Sequence, residues 1–297
     1  MRISDAIIAL TDRAMDGCYG ELATFAADVD LLPREALEAQ NLMCGEKETL
    51  RLVALLGDRF FLIAGSSNFH HLEVARLARL AERTAGPVHL LLIDRHMDAQ
   101  EYRERDSVLT CGNWVSYAVR RGLVRSVTLC GCDDETRDPA FDREILDDGR
   151  IAHHPDLSAP LDARLFEGCA TYVSVDTDIL AVPSDWGRGE VALSDLLAAP
   201  LWAQLANTTL CGAGIMGHVT DGRYAADMLA TAWRRRGLVG SFSSFSELWA
   251  DFAYGLLPKL RAGFARPLPL ERQFEIVRSI YEKIAETARP PLLGGSA

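Results

Sequence analysis

No stretch of the 297 residues approaches the run of about 18 apolar side chains that a membrane-spanning helix needs. Basic charge is also scarce: 31 Lys and Arg face 42 Asp and Glu, a formal net charge of −11. That balance argues against nucleic acid as the main partner, because phosphate contacts need a basic surface. Cysteines number seven, odd and irregularly spaced, which is not a disulfide framework. Free Cys in apolar segments packs as a small hydrophobe, and a reducing cytoplasm is the compartment expected. Cys130-Gly131-Cys132 is too closely spaced for a zinc-finger pair. The N-terminal stretch, Met1 to Gly17, sets acids among its apolar residues and lacks a small-residue cleavage pattern. It reads as an amphipathic helix, not a signal peptide. Internal repeats and low-complexity segments are absent.

The hydrophobic content, 48%, is ample for the core of one large α/β domain or two ordinary ones. The most informative feature is a pair of aspartate-rich segments placed where apolar runs end. Val88 to Ile93 leads into Asp94-Arg95-His96-Met97-Asp98, and Tyr172 to Val175 leads into Asp176-Thr177-Asp178. Such runs read as buried strands. Alternate residues of an extended chain point the same way, so Asp94, His96 and Asp98 can converge, and so can Asp176 and Asp178. Four carboxylates at one sheet end repel unless cations lie between them. Oxygen ligands with imidazole suit Mn²⁺, Fe²⁺ or Zn²⁺. Two divalent cations would balance the four charges.

Gly and Pro punctuate the chain at element boundaries. Strands are expected at 59–64, 88–93, 126–130, 171–175 and 208–212, and helices at 70–84, 113–121, 193–205 and 223–235. Ser194 is a candidate cap for the third helix. The acid-rich stretch 133–150 reads as a surface loop with a short helix, and His153-His154 as surface. Strands alternating with helices imply a mostly parallel sheet covered on both faces, with polar clusters at the carboxyl ends of strands. Residues 1–240 form this α/β unit. Residues 241–297 form a helical extension, with helices at 244–262 and 269–288 packed on the core or on a neighbouring subunit.

The two Asp motifs resemble those of the arginase/agmatinase (ureohydrolase) superfamily: Asp-x-His-x-Asp at Asp94, His96 and Asp98, and Ser-x-Asp-x-Asp at Ser174, Asp176 and Asp178. That superfamily has an upstream Gly-Gly-Asp-His-type turn; here it is Gly65-Ser66-Ser67-Asn68-Phe69-His70-His71. More closely, the chain is similar to a bacterial branch with Gly-Ser-x-Asp-Phe-His-His, Cys-Gly-x-Trp and Trp-x-x-Gly-Glu segments. The last two correspond to Cys111 to Trp114 and Trp186 to Glu190. The resemblance implies a three-layer α/β/α sandwich. It also implies two Mn²⁺ held by His70, Asp94, His96, Asp98, Asp176 and Asp178, with His71 or Asn68 as alternatives to His70.

Three departures bear on the substrate. Asn68 stands where an Asp is usual. Cys111 stands where arginases place a proton-relaying histidine. The window Gly212 to Asp221 contains no glutamate to clamp a guanidinium, which removes a charge-assisted contact and argues against arginine or agmatine. Catalytic candidates are Asp98, His218 and Cys111. Substrate-binding candidates are Asn113, Trp114, Trp186 and Asp221. The function these residues imply is hydrolysis of a linear C–N bond in a guanidino, amidino or amide compound, small or peptidic, by a homo-oligomer with no nucleic-acid or membrane partner. Two alternatives stay open: a single-metal, deacetylase-like amide hydrolase using His70-His71, and a non-catalytic protein on the same fold.

Overall fold

A computed structural model describes residues 5–9, 28–32, 34–37, 43–84, 86–105, 107–133, 140–184, 188–217 and 268–288, with Gly20, Thr24, Gln40 and Glu135 besides. Ten strands lie among them: β1 Asp5–Ala9, β2 Asp28–Leu32, β3 Met43–Gly45, β4 Phe61–Ala64, β5 Val88–Ile93, β6 Val108–Thr110, β7 Ser126–Cys130, β8 Ile151–His154, β9 Ala170–Asp176 and β10 Thr209–Met216. The α-helices are α1 Arg34–Leu37, α2 Glu46–Arg51, α3 Val53–Leu56, α4 Leu72–Arg83, α5 Trp114–Arg120, α6 Arg143–Asp147, α7 Leu193–Ala198, α8 Leu201–Leu205 and α9 Leu270–Thr287.

Eight strands form one sheet in the order β2-β1-β4-β10-β9-β5-β7-β8, and every pairing in it is parallel. β3 and β6 make a separate antiparallel pair. Central strands β4 and β5 are buried at every position because both faces of the sheet are covered. In β5, Leu91 and Ile93 join a core with Trp202, Leu205, Phe274, Ile280 and Ile284. Leu90 and Leu92 point the opposite way, into a core with Val74, Leu77, Trp114 and Val115. The result is a three-layer α/β/α sandwich.

The N-terminal segment departs from the expected amphipathic helix. Residues 5–9 are β1, inserted between β2 and β4. Ala6 and Ile8 are fully buried in one core and Ala9 in another. A short apolar run with adjacent isoleucines suits a strand buried on both faces. The single helix expected at 193–205 is two, α7 and α8. Ala199 precedes Pro200 and is extended, with ψ 138°, because a proline ring disfavours the helical conformation of the residue before it. Ser194 is not the cap; Ala192 holds that position and gives no side-chain bond. His153 and His154 are half-buried in edge strand β8, not on the surface, and bond the carbonyls of Cys132 and Ala159 at 2.9 and 3.2 Å. β10 runs past the expected end at Gly212, through Gly214, to Met216.

The helix expected at 269–288 is α9, which packs on α7, α8 and β10. The helices expected at 223–235 and 244–262, and the division near residue 240, lie outside the described residues.

Candidate metal centre

Four neighbouring central strands, β4, β10, β9 and β5, end at one place. This is the carboxyl end of a parallel sheet, where the strand order reverses. β4 runs into Ser66, whose hydroxyl accepts from the Asn68 amide at 3.2 Å and starts a 3₁₀ turn over Ser67–Phe69. The turn delivers His70 into the sheet end just ahead of α4.

His70 Nδ1 lies 3.0 Å from Asp98 Oδ2, 3.4 Å from Asp94 Oδ2 and 3.4 Å from Asp176 Oδ2. His96 Nδ1 lies 2.8 Å from Asp178 Oδ2 and 3.8 Å from Asp94 Oδ1. The geometry thus gathers His70, Asp94, His96, Asp98, Asp176 and Asp178 at one point. Two groups have ligand atoms all within 4.8 Å of one another: His70, Asp94 and Asp176, and Asp94, His96 and Asp178. Asp94 belongs to both. His71 and Asn68 are buried beside His70, and neither belongs to these groups.

The cluster is dry. Asp94, Asp176 and Asp178 are at most 2% exposed, while Asp98 is 9% exposed and the His96 side chain 30%. Solvent therefore reaches the cluster past His96 and Asp98. Asp98 has φ 49°, a left-handed conformation that aspartate tolerates better than most residues. Its Oδ2 accepts the Trp114 indole N–H at 2.7 Å. Asp176 Oδ1 accepts from Ser67 Oγ at 2.8 Å and from the Asp178 amide at 3.0 Å. Gly217, φ 91°, makes room for this: a Cβ there would sit 2.3 Å from Ser67 Oγ and 2.6 Å from Asp176 Oδ1.

Electrostatics show what the cluster needs. Burial, then the charges of Asp178, Asp176 and Asp98, push the Asp94 carboxyl well above the usual carboxylate range. Burial alone would discharge His70. Bonds and charges from Asp176 and Asp98 outweigh it and lift its pKa to about 10. His96 is lifted to about 9 against its own burial, chiefly by Asp178. Asp94 Oδ2 and Asp178 Oδ2 are buried and accept no well-formed hydrogen bond; they face His70 Nδ1 at 3.4 Å and His96 Nδ1 at 2.8 Å. Buried carboxylate oxygens in that condition, with imidazole nitrogens beside them, fit a divalent cation.

The other expected site residues are placed differently. Trp114 is fully buried behind Asp98, with its ring 4.8 Å from that of His70, so it supports the cluster from within. Asn113 holds its own turn: Oδ1 accepts from the Thr110 amide at 2.8 Å and Nδ2 donates to Val108 O at 3.2 Å. Cys111 is buried in the same turn. Trp186, His218 and Asp221 lie outside the described residues. Sequence reasoning missed Glu73, a fully buried carboxylate on α4. Burial lifts its pKa to about 7, while the His70 charge and bonds from Tyr172 and Ser174 pull the other way.

No protein-family model and no curated protein sequence matches the chain. Solved structures do. A proclavaminate amidino hydrolase from Streptomyces clavuligerus superposes with a TM-score of 0.52 at 14% identity, over 96% of this chain and 92% of that one. An arginase from Medicago truncatula gives 0.51 at 12% identity, over 96% and 87%. A hypothetical agmatinase from Burkholderia thailandensis gives 0.50 at 14%, over 95% and 86%. The chain has the arginase-like α/β fold.

Proposed function

We propose that the protein is a metal-dependent hydrolase of a linear C–N bond in a guanidino, amidino or amide compound. The observation that carries this reading is the buried convergence of four carboxylates and two imidazoles at the switch point of the sheet. The names of the fold neighbours, arginase, agmatinase and amidino hydrolase, point to the same chemistry. Two groups sharing Asp94 favour two cations over one, which sets this reading ahead of the single-metal alternative. His70, Asp94 and Asp176, with Asp98 beside them, would hold one, and Asp94, His96 and Asp178 the other. Bound there, divalent cations supply water activation at neutral pH and charge stabilisation of a tetrahedral centre.

The chain supplies the rest. The dry wall of Asp94, Asp176 and Asp178 fixes ligand directions and excludes bulk solvent. Asp98, held by Trp114 and open to solvent on one side, is the carboxylate placed to take a proton from the attacking water. It then returns that proton to the leaving amine. The side past His96 admits substrate. The sequence window Gly212 to Asp221 holds no glutamate to clamp a guanidinium, so uncharged amides belong in the first screen beside guanidino and amidino compounds.

Protein loaded with Mn²⁺ and incubated with guanidino, amidino and amide compounds is expected to release amine or urea from at least one class. Asp98→Ala should fall to background. Bound metal with no hydrolysis in any class would refute the hydrolase reading.

Metal uptake should also be proton-coupled. With pKa values near 10 and 9, His70 and His96 are charged at pH 7 before metal binds, and each must lose its proton to become a ligand. Asp94, raised well above 3.8, loses one too where it is protonated. Calorimetry in two buffers of different ionisation enthalpy should therefore show release of about two to three protons, with affinity falling as pH falls. A binding enthalpy independent of buffer would contradict it.

A further inference from the structure

Beneath the cluster, on the side away from solvent, lies a second set of buried polar groups that the hydrolytic reading does not use. His70 Nε2 is 2.9 Å from Ser174 Oγ. The Ser174 hydroxyl donates to Glu73 Oε1 at 3.0 Å. The Tyr172 hydroxyl donates to the other oxygen, Glu73 Oε2. His70, Ser174, Glu73 and Tyr172 are all at most 1% exposed. Arg76, one turn along α4 and also fully buried, pulls the Glu73 carboxyl towards its charged form.

We infer that Glu73 is a positioning residue, acting through Ser174 to fix the tautomer and direction of His70 for metal binding. The inference rests on the proposed metal centre. Nδ1 of His70 faces Asp94, Asp98 and Asp176, so Nδ1 must present a lone pair to a cation and the ring proton must sit on Nε2. That proton is donated to Ser174 Oγ, whose own proton goes on to Glu73. A carboxylate only accepts, so both hydroxyls are held as donors and the order of donors runs one way. Glutamine in place of Glu73 breaks that order. If its NH₂ faces Ser174, the hydroxyl accepts from Gln and donates to Nε2. His70 is then left with its proton on Nδ1, the wrong nitrogen for a metal. Orienting partners of metal-bound histidines are commonly worth a factor of about 10–100 in affinity.

The fold has made space for this arm. Gly214 of β10 lies across from it, and a Cβ there would sit 1.7 Å from Glu73 Oε1. Glu73 is thus packed against the bare backbone of the central strand.

The test is Mn²⁺ affinity of the full chain, measured in one buffer, for wild type and for Glu73→Gln, Ser174→Ala and Tyr172→Phe. The expected result is a loss of about 10–100-fold for Glu73→Gln and Ser174→Ala, and a change of less than about threefold for Tyr172→Phe. Tyr172→Phe removes an equally buried bond to the same carboxylate but lies outside the relay. A second readout uses Zn²⁺-loaded, ¹⁵N-histidine-labelled protein: the His70 Nε2 proton should move upfield in the first two variants and stay in Tyr172→Phe. Equal losses in all three variants, or none, would overturn the relay. Metal bound with no hydrolysis would remove the hydrolase reading and leave the relay standing. A wild type that binds no metal would remove both.

Discussion

Asp94→Asn is expected to stabilise the chelator-treated protein and, in the same variant, to abolish stabilisation by Mn²⁺. Asp94 is buried among Asp98, Asp176 and Asp178, and its folded pKa is raised well above the ordinary 3.8. A raised carboxyl pKa contributes stability below the unfolded value, and that stability is lost as pH rises towards the folded value. At pH 7 the group therefore opposes folding, since it must take up a proton or remain charged among like charges. Asparagine removes that penalty while keeping an oxygen for the His96 amide, which Asp94 Oδ1 accepts at 2.7 Å. A higher melting temperature than wild type is therefore expected without metal. Wild type should gain with Mn²⁺ by mass action, about 2.7 kcal/mol at a hundredfold excess over Kd. The variant should gain nothing, because Asp94 belongs to both metal groups. Thermal melts with and without Mn²⁺ read both effects. A variant less stable than wild type in chelator would show that the four carboxylates are not in conflict.

Gly214→Ala is expected to be among the most destabilising single changes in the chain. Its Cβ would meet Glu73 at 1.7 Å from Oε1 and 2.6 Å from the carboxyl carbon. The strand cannot move aside, because at Gly214 β10 is paired with β4 on one side and β9 on the other. Glu73 must then leave its two donors and Arg76 within the core. Overpacking together with a broken buried network costs about 3 kcal/mol or more. Denaturant melts should show that loss, and Glu73→Ala combined with Gly214→Ala should be more stable than Gly214→Ala alone. A loss under about 0.5 kcal/mol would mean that Glu73 has another place to go.

Much of this architecture is legible in the sequence because strands β4, β5, β7 and β9 are mostly apolar runs that stop at Gly or Asp. β1 is not: Ala6 to Ala9 is short, and the acids on either side have a spacing that also fits a helix. β10 is expected to stop at Gly212, since Gly weakens a strand by propensity. Gly212 and Gly214 make sense only from the far side, where Tyr172 and Glu73 crowd the backbone.

The site divides in the same way. Asp94, Asp98, Asp176 and Asp178 stand out because a carboxylate at the end of a buried strand is costly to desolvate unless a cation or a donor compensates it. Glu73 does not, because Glu one turn into a helix is ordinary and its burial is decided by the strand opposite. Trp114 reads as a pocket residue until its indole is seen donating inward to Asp98. Ser174 belongs to a recognisable motif, but nothing in the sequence says that its hydroxyl joins His70 to Glu73.

The central claim is that the Asp and His cluster holds two divalent cations, and elemental analysis of protein purified with Mn²⁺ and without chelator tests it most directly. Two ligand groups predict about two equivalents of Mn²⁺ per chain in wild type, lost in Asp98→Ala. Wild-type protein that carries no metal, or the same amount as Asp98→Ala, would contradict the account.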